Sequence, residues 1–212
     1  MEKLILTLYF CLFFGSLTFS QSKTKIACIG DSITEGPGRE SPASYPLQLG
    51  EILGDAYEVK NFGVSGRTLL KRGDFPFWNE PQFEEAKAYT ADILLIKLGT
   101  NDTKPQNWKY KDDFKKDYIA LINEMRKAMP EGGQIYLINP VPVFQDNFNI
   151  NAQVMDEEIR PLLIKIAAET DVEILDLYSP LLPYSELFPD GIHPNTEGLS
   201  LMAKALSQKI IK

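Results

Sequence analysis

Short apolar runs alternate with longer amphipathic stretches along this chain. Five runs rich in aliphatic residues predict buried strands at 24–30, 57–61, 93–98, 134–139 and 172–177. Runs of this kind are typical of parallel strands that are covered on both faces. Between them, apolar residues recur at helical spacing in 45–53, 114–129, 155–168 and 196–211. Asn195 stands where the last of these helices needs its N-cap. The alternation predicts an α/β fold with an open, doubly wound sheet.

The first twenty residues have a different pattern. A short charged start is followed by an uncharged run at 4–20 that is rich in Leu and Phe, and the small residues Thr18 and Ser20 precede Gln21. This pattern is typical of a secretory signal peptide at 1–20. We therefore expect a secreted or periplasmic protein with one domain, 21–212, and no stable membrane insertion after cleavage. An uncleaved anchor is the alternative, although the run is slightly short for a span of about 20 residues.

Composition excludes some classes of partner. The chain has 212 residues, of which 44% are hydrophobic and 24% charged, and its formal net charge is −7. Nucleic acid is not an expected partner, because phosphate binding requires a basic face. Cys28 would be the one cysteine left after signal cleavage. It lies within a predicted strand, so we interpret it as a small core residue and not as a nucleophile.

Polar and glycine-containing motifs follow the predicted strands. They are Gly30-Asp31-Ser32, then Asn61 to Gly66, then Gly99-Thr100-Asn101-Asp102, and finally Asp190-Gly191-Ile192-His193-Pro194. Ligands of open α/β sheets bind at the carboxyl ends of the strands. The motifs therefore predict one functional site at that edge.

The residue types in these motifs point to nucleophilic catalysis by a serine. Ser32 needs a base to take its proton, and His193 is the only histidine of the chain. Asp190 lies three residues earlier and can orient the ring across a tight turn. The backbone N–H groups of Ser32 and Gly66 and the side-chain amide of Asn101 are candidate donors to an oxyanion.

Taken in order, these motifs resemble the four sequence blocks of the SGNH, or GDSL, hydrolase family. The resemblance makes Ser32 the nucleophile, Asp190 and His193 its triad partners, and Gly66 and Asn101 members of the oxyanion hole. It implies a three-layer α/β/α flavodoxin-like fold with a five-stranded parallel sheet. It also implies no metal and no organic cofactor. Members of the family are mostly esterases, thioesterases, lysophospholipases and carbohydrate deacetylases.

Each motif taken alone also has a structural interpretation. A single Gly-Asp-Ser or Asn-Asp pair often marks a turn, and a single histidine is more often structural than catalytic. Their joint occurrence at strand ends favours catalysis. We assign Asp31 and Asp102 to structure, as acids that accept backbone hydrogen bonds. Asp176 is a rival to Asp190 as the carboxylate, but it lies within a predicted strand.

The substrate depends on the loops, of which 71–81 and 139–150 look long and rich in proline and aromatic residues. Trp78 and Trp108 are tentative sugar-stacking residues, and a local core under the loops is the equal alternative. No long apolar stretch predicts a lipase lid, so we expect hydrolysis of a short-acyl ester, O-acetyl above all, on a carbohydrate or another small molecule.

Three alternatives to this function stay open or are disfavoured. A lysophospholipase or thioesterase type of acyl hydrolase would use the same motifs. A non-catalytic glycan-binding module on the same fold would have no need for the complete set of residues that is found here. A nucleotide binder is disfavoured, because Gly36-Pro37-Gly38 does not match a phosphate-binding loop. The sequence does not indicate an oligomeric state.

Overall fold

Five strands form one parallel sheet. The computed structural model describes residues 22–211, and the predicted signal peptide lies outside this part of the chain. The strands are β1 (Thr24–Gly30), β2 (Tyr57–Gly63), β3 (Ile93–Lys97), β4 (Gln134–Asn139) and β5 (Glu173–Asp176). Their order across the sheet is β2-β1-β3-β4-β5, and every neighbouring pair is parallel. The predicted five-stranded parallel sheet is confirmed.

Helices connect the strands, and two more follow β5. They are α1 (Ser32–Glu35), α2 (Tyr45–Leu53), α3 (Pro81–Tyr89), α4 (Pro105–Trp108), α5 (Lys111–Ala128), α6 (Ala152–Val154), α7 (Arg160–Thr170), α8 (Tyr178–Leu181) and α9 (Thr196–Ile210). A π-helical turn, Met155–Ile159, joins α6 to α7, so the helix predicted at 155–168 is part of a longer helical run. Asn195 caps α9 as predicted, since its side-chain oxygen accepts the Gly198 N–H at 3.0 Å.

Alternation along the strands produces three layers. In β1, Ala27 and Ile29 belong to a core shared with α3, α5 and α7, whereas Ile26 and Cys28 belong to a second core shared with α2 and α9. Successive side chains of a strand point to opposite faces, so a strand covered on both sides must be apolar at both sets of positions. Cys28 is fully buried, and burial raises the pKa of its thiol. Its interpretation as a core residue is confirmed.

The helix α3 was not predicted from the sequence. Its buried apolar residues are only Phe83, Ala86 and Tyr89, which recur every three positions among charged neighbours. This stripe is too narrow to stand out as an amphipathic pattern. Within residues 22–211, no helix combines the length and the apolar character required to cross a bilayer.

Candidate active site

The nucleophile candidate lies at a tight junction between β1 and α1. Asp31 caps α1 and accepts the Ile33 N–H at 3.0 Å, and Ser32 is the first residue of the helix. A Cβ atom at Gly30 would come within 2.1 Å of Thr34 Oγ1 and 2.6 Å of the Lys97 carbonyl oxygen. Glycine is therefore required where the strand turns into the helix. The turn leaves the Ser32 side chain half-buried at the carboxyl edge of the sheet.

Two short hydrogen bonds join the predicted catalytic side chains. Ser32 Oγ lies 2.8 Å from His193 Nε2, and His193 Nδ1 lies 2.7 Å from Asp190 Oδ2. Because 161 positions separate Ser32 from His193 along the chain, only the fold brings them together. The side chains of His193 and Asp190 are 35% and 31% exposed, so a substrate can reach them. The arrangement can move a proton from the serine to the imidazole.

The turn before the histidine holds Asp190 in its charged form. Burial by itself would raise the pKa of the Asp190 carboxyl. Hydrogen bonds from the backbone and ring of His193 and from the Ile192 N–H outweigh this effect, and the pKa lies below its ordinary value. Asp190 Oδ1 accepts both backbone N–H groups, at 2.7 Å from His193 and 2.9 Å from Ile192. Asp190 therefore remains a carboxylate at neutral pH and can stabilise an imidazolium.

The candidate oxyanion donors lie along the neighbouring loops. Gly66 has a φ of +79°, a left-handed conformation that favours glycine. The side-chain amide of Asn101 is 3% exposed and donates to the Arg67 carbonyl at 3.2 Å, which ties it to the residue after Gly66. Within residues 22–211, the backbone N–H groups of Ser32 and Gly66 have no hydrogen-bond acceptor. Both are available to a developing negative charge.

A buried ion pair lies directly beneath the nucleophile. Lys97 Nζ is 3.0 Å from Asp31 Oδ1, and both side chains are fully buried. The ammonium also donates to Thr100 Oγ1 at 3.1 Å. Burial lowers the pKa of Lys97, and the charge and hydrogen bond of Asp31 oppose that effect. Sequence reasoning missed this partner, because a lysine inside an apolar run carries no signal that it is buried.

Asp102 holds the loop that follows β2. Its two carboxyl oxygens accept the backbone N–H groups of Leu69 at 2.9 Å and Leu70 at 2.8 Å. Burial raises the pKa of Asp102 to about 7, although these two donors lower it. The structural role predicted for Asp31 and Asp102 agrees with these contacts. Asp176, the rival to Asp190, instead bonds to Asn139 and to the start of α8.

A cavity of about 340 Å³ opens beside the nucleophile. It is lined by Ser32, Ile33, Gly36, Pro37, Ser65, His193, Pro194 and Leu199. Glu35, the last residue of α1, accepts the Ser65 N–H at 2.8 Å. The cavity provides room for part of a ligand next to the serine and histidine side chains. Within residues 22–211, no group of three His, Cys, Asp or Glu side chains is arranged to hold a metal ion.

Sugar stacking and a local core were the two interpretations that the sequence left open for Trp78 and Trp108. Trp108 is 7% exposed and packs edge-on against Phe114 at 5.4 Å between ring centroids. Trp78 is half-buried, and its ring centroid lies 5.2 Å from that of Phe83. The Lys71 ammonium covers the Trp78 ring at 4.0 Å from its centroid. These contacts favour the local core over a sugar-stacking surface for both residues. Apolar packing of the loops determined both positions.

Two phenylalanines are the exposed aromatic residues of these loops. Phe75 is 57% exposed and Phe148 is 56% exposed. The Phe148 ring lies edge-on to His193 with 5.8 Å between the ring centroids. Sequence reasoning singled out both loops but not these rings, because composition does not reveal which side chain of a loop points outward.

This chain is similar to two named esterases. An acetylxylan esterase from Xylanibacter ruminicola is 41% identical over 205 residues, which cover 88% of this chain and 43% of that protein. An arylesterase from Vibrio mimicus is 25% identical over 99% of this chain and 97% of its own length. The chain thus spans less than half the length of the acetylxylan esterase.

Solved structures with the same fold include two carbohydrate esterases. Est24, a carbohydrate acetylesterase from Sinorhizobium meliloti, superposes with a TM-score of 0.71 at 20% identity and covers 89% of this chain and 98% of its own. Axe2, an acetylxylan esterase from Geobacillus stearothermophilus, gives 0.70 at 20% identity, with 91% and 96% covered. At this identity the likeness shows the fold, and it confirms the predicted three-layer architecture.

The family assignment rests on a longer match. A model of the GDSL-like lipase/acylhydrolase family matches residues 28–201, which include all four motifs. The resemblance predicted from those motifs is confirmed, and the match supports the expected class of carboxylic ester hydrolase. With most of its length matched in this way, the chain belongs to the GDSL-like lipase/acylhydrolase family.

Proposed function

We propose that this protein hydrolyses short-acyl esters, above all O-acetyl groups on carbohydrate, with Ser32 as the nucleophile. The observation that carries the proposal is the chain of two short hydrogen bonds from Ser32 through His193 to Asp190. A serine, a histidine and a carboxylate in this order can activate the hydroxyl near neutral pH. The family and the names of the relatives support an ester as the substrate.

The first half of the reaction transfers the acyl group to the enzyme. Ser32 Oγ attacks the ester carbonyl carbon while His193 Nε2 takes the serine proton. Negative charge develops on the carbonyl oxygen, where the N–H groups of Ser32 and Gly66 and the Asn101 amide can stabilise it. The bond to the alcohol then breaks, and the imidazolium returns its proton to the leaving oxygen. The products of this half are the free alcohol and the acyl ester of Ser32.

The second half repeats the same steps with water. His193 takes a proton from water, the hydroxide oxygen bonds to the acyl carbon, and the bond to Ser32 Oγ breaks as the imidazolium protonates that oxygen. Acetic acid leaves and ionises in solution. Throughout, Asp190 stays ionised and stabilises the charged ring, which is consistent with its lowered pKa.

Support for the acetyl group comes from the relatives, since two proteins similar to this chain are named acetylxylan esterases. The cavity favours a second candidate, because Ile33, Pro37 and Leu199 give it an apolar wall that a longer acyl chain could use. A lysophospholipase or thioesterase type of acyl hydrolase is that alternative. The preferred acyl length therefore discriminates between the two candidates.

The test is acetate release from acetylated xylan and from xylose tetraacetate, with p-nitrophenyl esters of two to twelve carbons as the length series. We expect highest kcat/KM for the two-carbon ester, and we expect Ser32→Ala to lower kcat by about 10³-fold or more. Ser185→Ala is the matched control, since Ser185 is an exposed serine outside the cavity.

Three results would contradict the proposal. Retention of a tenth of the rate by Ser32→Ala would remove Ser32 as the nucleophile. A maximum at eight or more carbons would favour the lipid or thioester hydrolase. Glycan binding without any ester cleavage would favour the non-catalytic module. Export through the segment 1–20 stays a prediction, which N-terminal sequencing of the protein from its native culture would test.

A further inference from the structure

An exposed aromatic ring lies against the candidate catalytic histidine. Phe148 and His193 pack edge-to-face, with their planes at 63° and their centroids 5.8 Å apart. The Phe148 side chain is nevertheless 56% exposed, so most of the ring surface faces solvent. An apolar ring that is left in water beside a reactive group is available to contact a ligand that reaches that group.

The backbone holds this ring in place although no core surrounds it. Phe148 and Asn149 have φ values of +51° and +62°, a left-handed conformation that is costly for residues other than glycine. Asn147 accepts the Phe148 N–H at 2.9 Å and donates to the Asp190 carbonyl at 3.3 Å. The loop is thus tied to the same turn that carries His193, and the ring and the histidine keep their relation to each other.

A second cavity is lined by this loop. Its volume is about 410 Å³, and its lining is Pro105, Asp146, Asn147, Phe148, Asn149, Ile150 and Asn151. The lining therefore combines one aromatic ring with carboxamide and carboxylate groups. The face of a sugar ring presents C–H groups that pack on an aromatic surface, while its hydroxyls need hydrogen-bond partners at the edge. The composition of this cavity fits both requirements.

We propose that Phe148 and this cavity, together called the Phe148 subsite, bind the sugar that carries the ester. The inference rests on the proposed function, because it assigns a place to the alcohol part of the same substrate. In that reaction His193 must deliver its proton to the leaving oxygen, so the alcohol lies next to the histidine ring. The Phe148 ring is in contact with that ring, and a sugar bonded to the leaving oxygen therefore reaches it.

Phe75 offers a matched control on the other aromatic loop. Phe75 is 57% exposed, which is close to the value for Phe148. The neighbour of its ring is the Arg67 guanidinium, 5.6 Å from the ring centroid, and not the histidine. If exposure alone were sufficient for stacking on a sugar, both rings would bind the substrate. The Phe148 subsite instead requires the contact with His193.

The experiment compares two acetyl esters that differ only in their alcohol, acetylated xylotriose and ethyl acetate. We expect Phe148→Ala to lower the ratio of their kcat/KM values at least about tenfold, because the small ester has no sugar to stack. Phe148→Tyr keeps the aromatic face and is expected to retain the ratio. Phe75→Ala is expected to leave the ratio unchanged. Activity on ethyl acetate reports that each variant is folded.

Binding without turnover separates this inference from the proposed function. In the Ser32→Ala background, calorimetric titration with acetylated xylotriose is expected to give a Kd that rises at least about tenfold when Phe148 is also replaced by Ala. That factor corresponds to about 1.4 kcal/mol. An absence of acetate release by the unmodified protein would overturn the proposed function, whereas this titration would still test the Phe148 subsite.

Three outcomes overturn the Phe148 subsite. An equal loss of kcat/KM on both esters, with an unchanged Kd, would mean that the ring only positions His193. An unchanged ratio together with an unchanged Kd would mean that the sugar binds elsewhere. An equal effect of Phe75→Ala on the ratio would likewise contradict the requirement for contact with the histidine.

Discussion

Two acidic regions meet at Ser32, and they differ in burial. Asp31 lies beneath the serine with Lys97, and both side chains are fully buried. Asp190 lies beside the serine in the open turn with His193, where about a third of each side chain is exposed. A buried charge must keep its partner, since water cannot replace it. A partly exposed carboxylate can lose its partner at little cost to the free energy of folding. The residues of the open turn can therefore take part in catalysis without a large effect on stability.

The largest expected effect concerns Asp190→Asn and separates activity from stability. The amide can no longer orient and stabilise the imidazolium, so kcat should fall by about 10⁴-fold, as in comparable triads. The free energy of unfolding should change by about 1 kcal/mol or less, because solvent screens this half-exposed pair. Ester hydrolysis and urea unfolding of the same preparation measure both quantities. A fall in kcat of less than tenfold would contradict the role of Asp190 as the carboxylate of the triad.

The next effect concerns the buried pair and should be seen in stability. Lys97→Met leaves the Asp31 carboxylate buried without its cation, which typically costs about 3–5 kcal/mol. The double variant Asp31→Asn with Lys97→Met removes both charges and should lose less than the sum of the two single changes. Urea unfolding of the four proteins measures this double-mutant cycle. Strictly additive losses would contradict a direct interaction between the two side chains.

The smallest effect is the pH dependence of the free energy of unfolding. It has opposite signs for the buried Asp102 and the partly exposed Asp190. The raised pKa of Asp102, about 7 instead of 3.8, means that the folded state holds a proton that the unfolded chain releases. Its contribution to stability is present below about pH 4 and is lost as pH rises through 7. At about 1.4 kcal/mol per pH unit, the loss between pH 5 and 8 is about 2–3 kcal/mol.

Asp102→Asn tests this pH dependence. The variant should have a lower free energy of unfolding than the parent at pH 5, because its amide faces a backbone donor. This difference should be smaller at pH 8, since the parent has by then lost the contribution of the Asp102 proton. Asp190→Asn is the control, since the lowered pKa of Asp190 keeps that group ionised across this range. Its contribution is lost only as pH falls through that lowered value. A deficit of Asp102→Asn that stays constant from pH 5 to 8 would contradict the raised pKa.

Local patterns were sufficient to predict most elements of the fold. β1, β4 and α2 have the predicted bounds, and α9 ends within one residue of them. Each has a regular apolar pattern or a clear end signal, such as Asn195 before α9. The helix α3 lacked such a pattern and was missed. The expected parallel sheet follows from the alternation of strands and helices, whereas the strand order β2-β1-β3-β4-β5 was seen only in the structure.

The aromatic loops show where prediction from sequence ended. Composition does not distinguish Trp78 and Trp108 from Phe75 and Phe148. The two tryptophans nevertheless pack against the core, whereas the two phenylalanines are exposed to solvent. Which side chain of a loop is buried depends on the elements that happen to lie underneath it. For Trp108 that element is α5, through Phe114.

The sequence by itself singled out Ser32, Asp190 and His193 as the candidate triad, because a chain with one histidine and four ordered motifs leaves few alternatives. It also determined the parallel sheet, since strand and helix periods are local properties of the chain. Only the tertiary structure decided that Lys97 is the buried partner of Asp31 and that the Phe148 ring lies against the histidine. Burial and contact arise between residues far apart in sequence, and no local pattern records them.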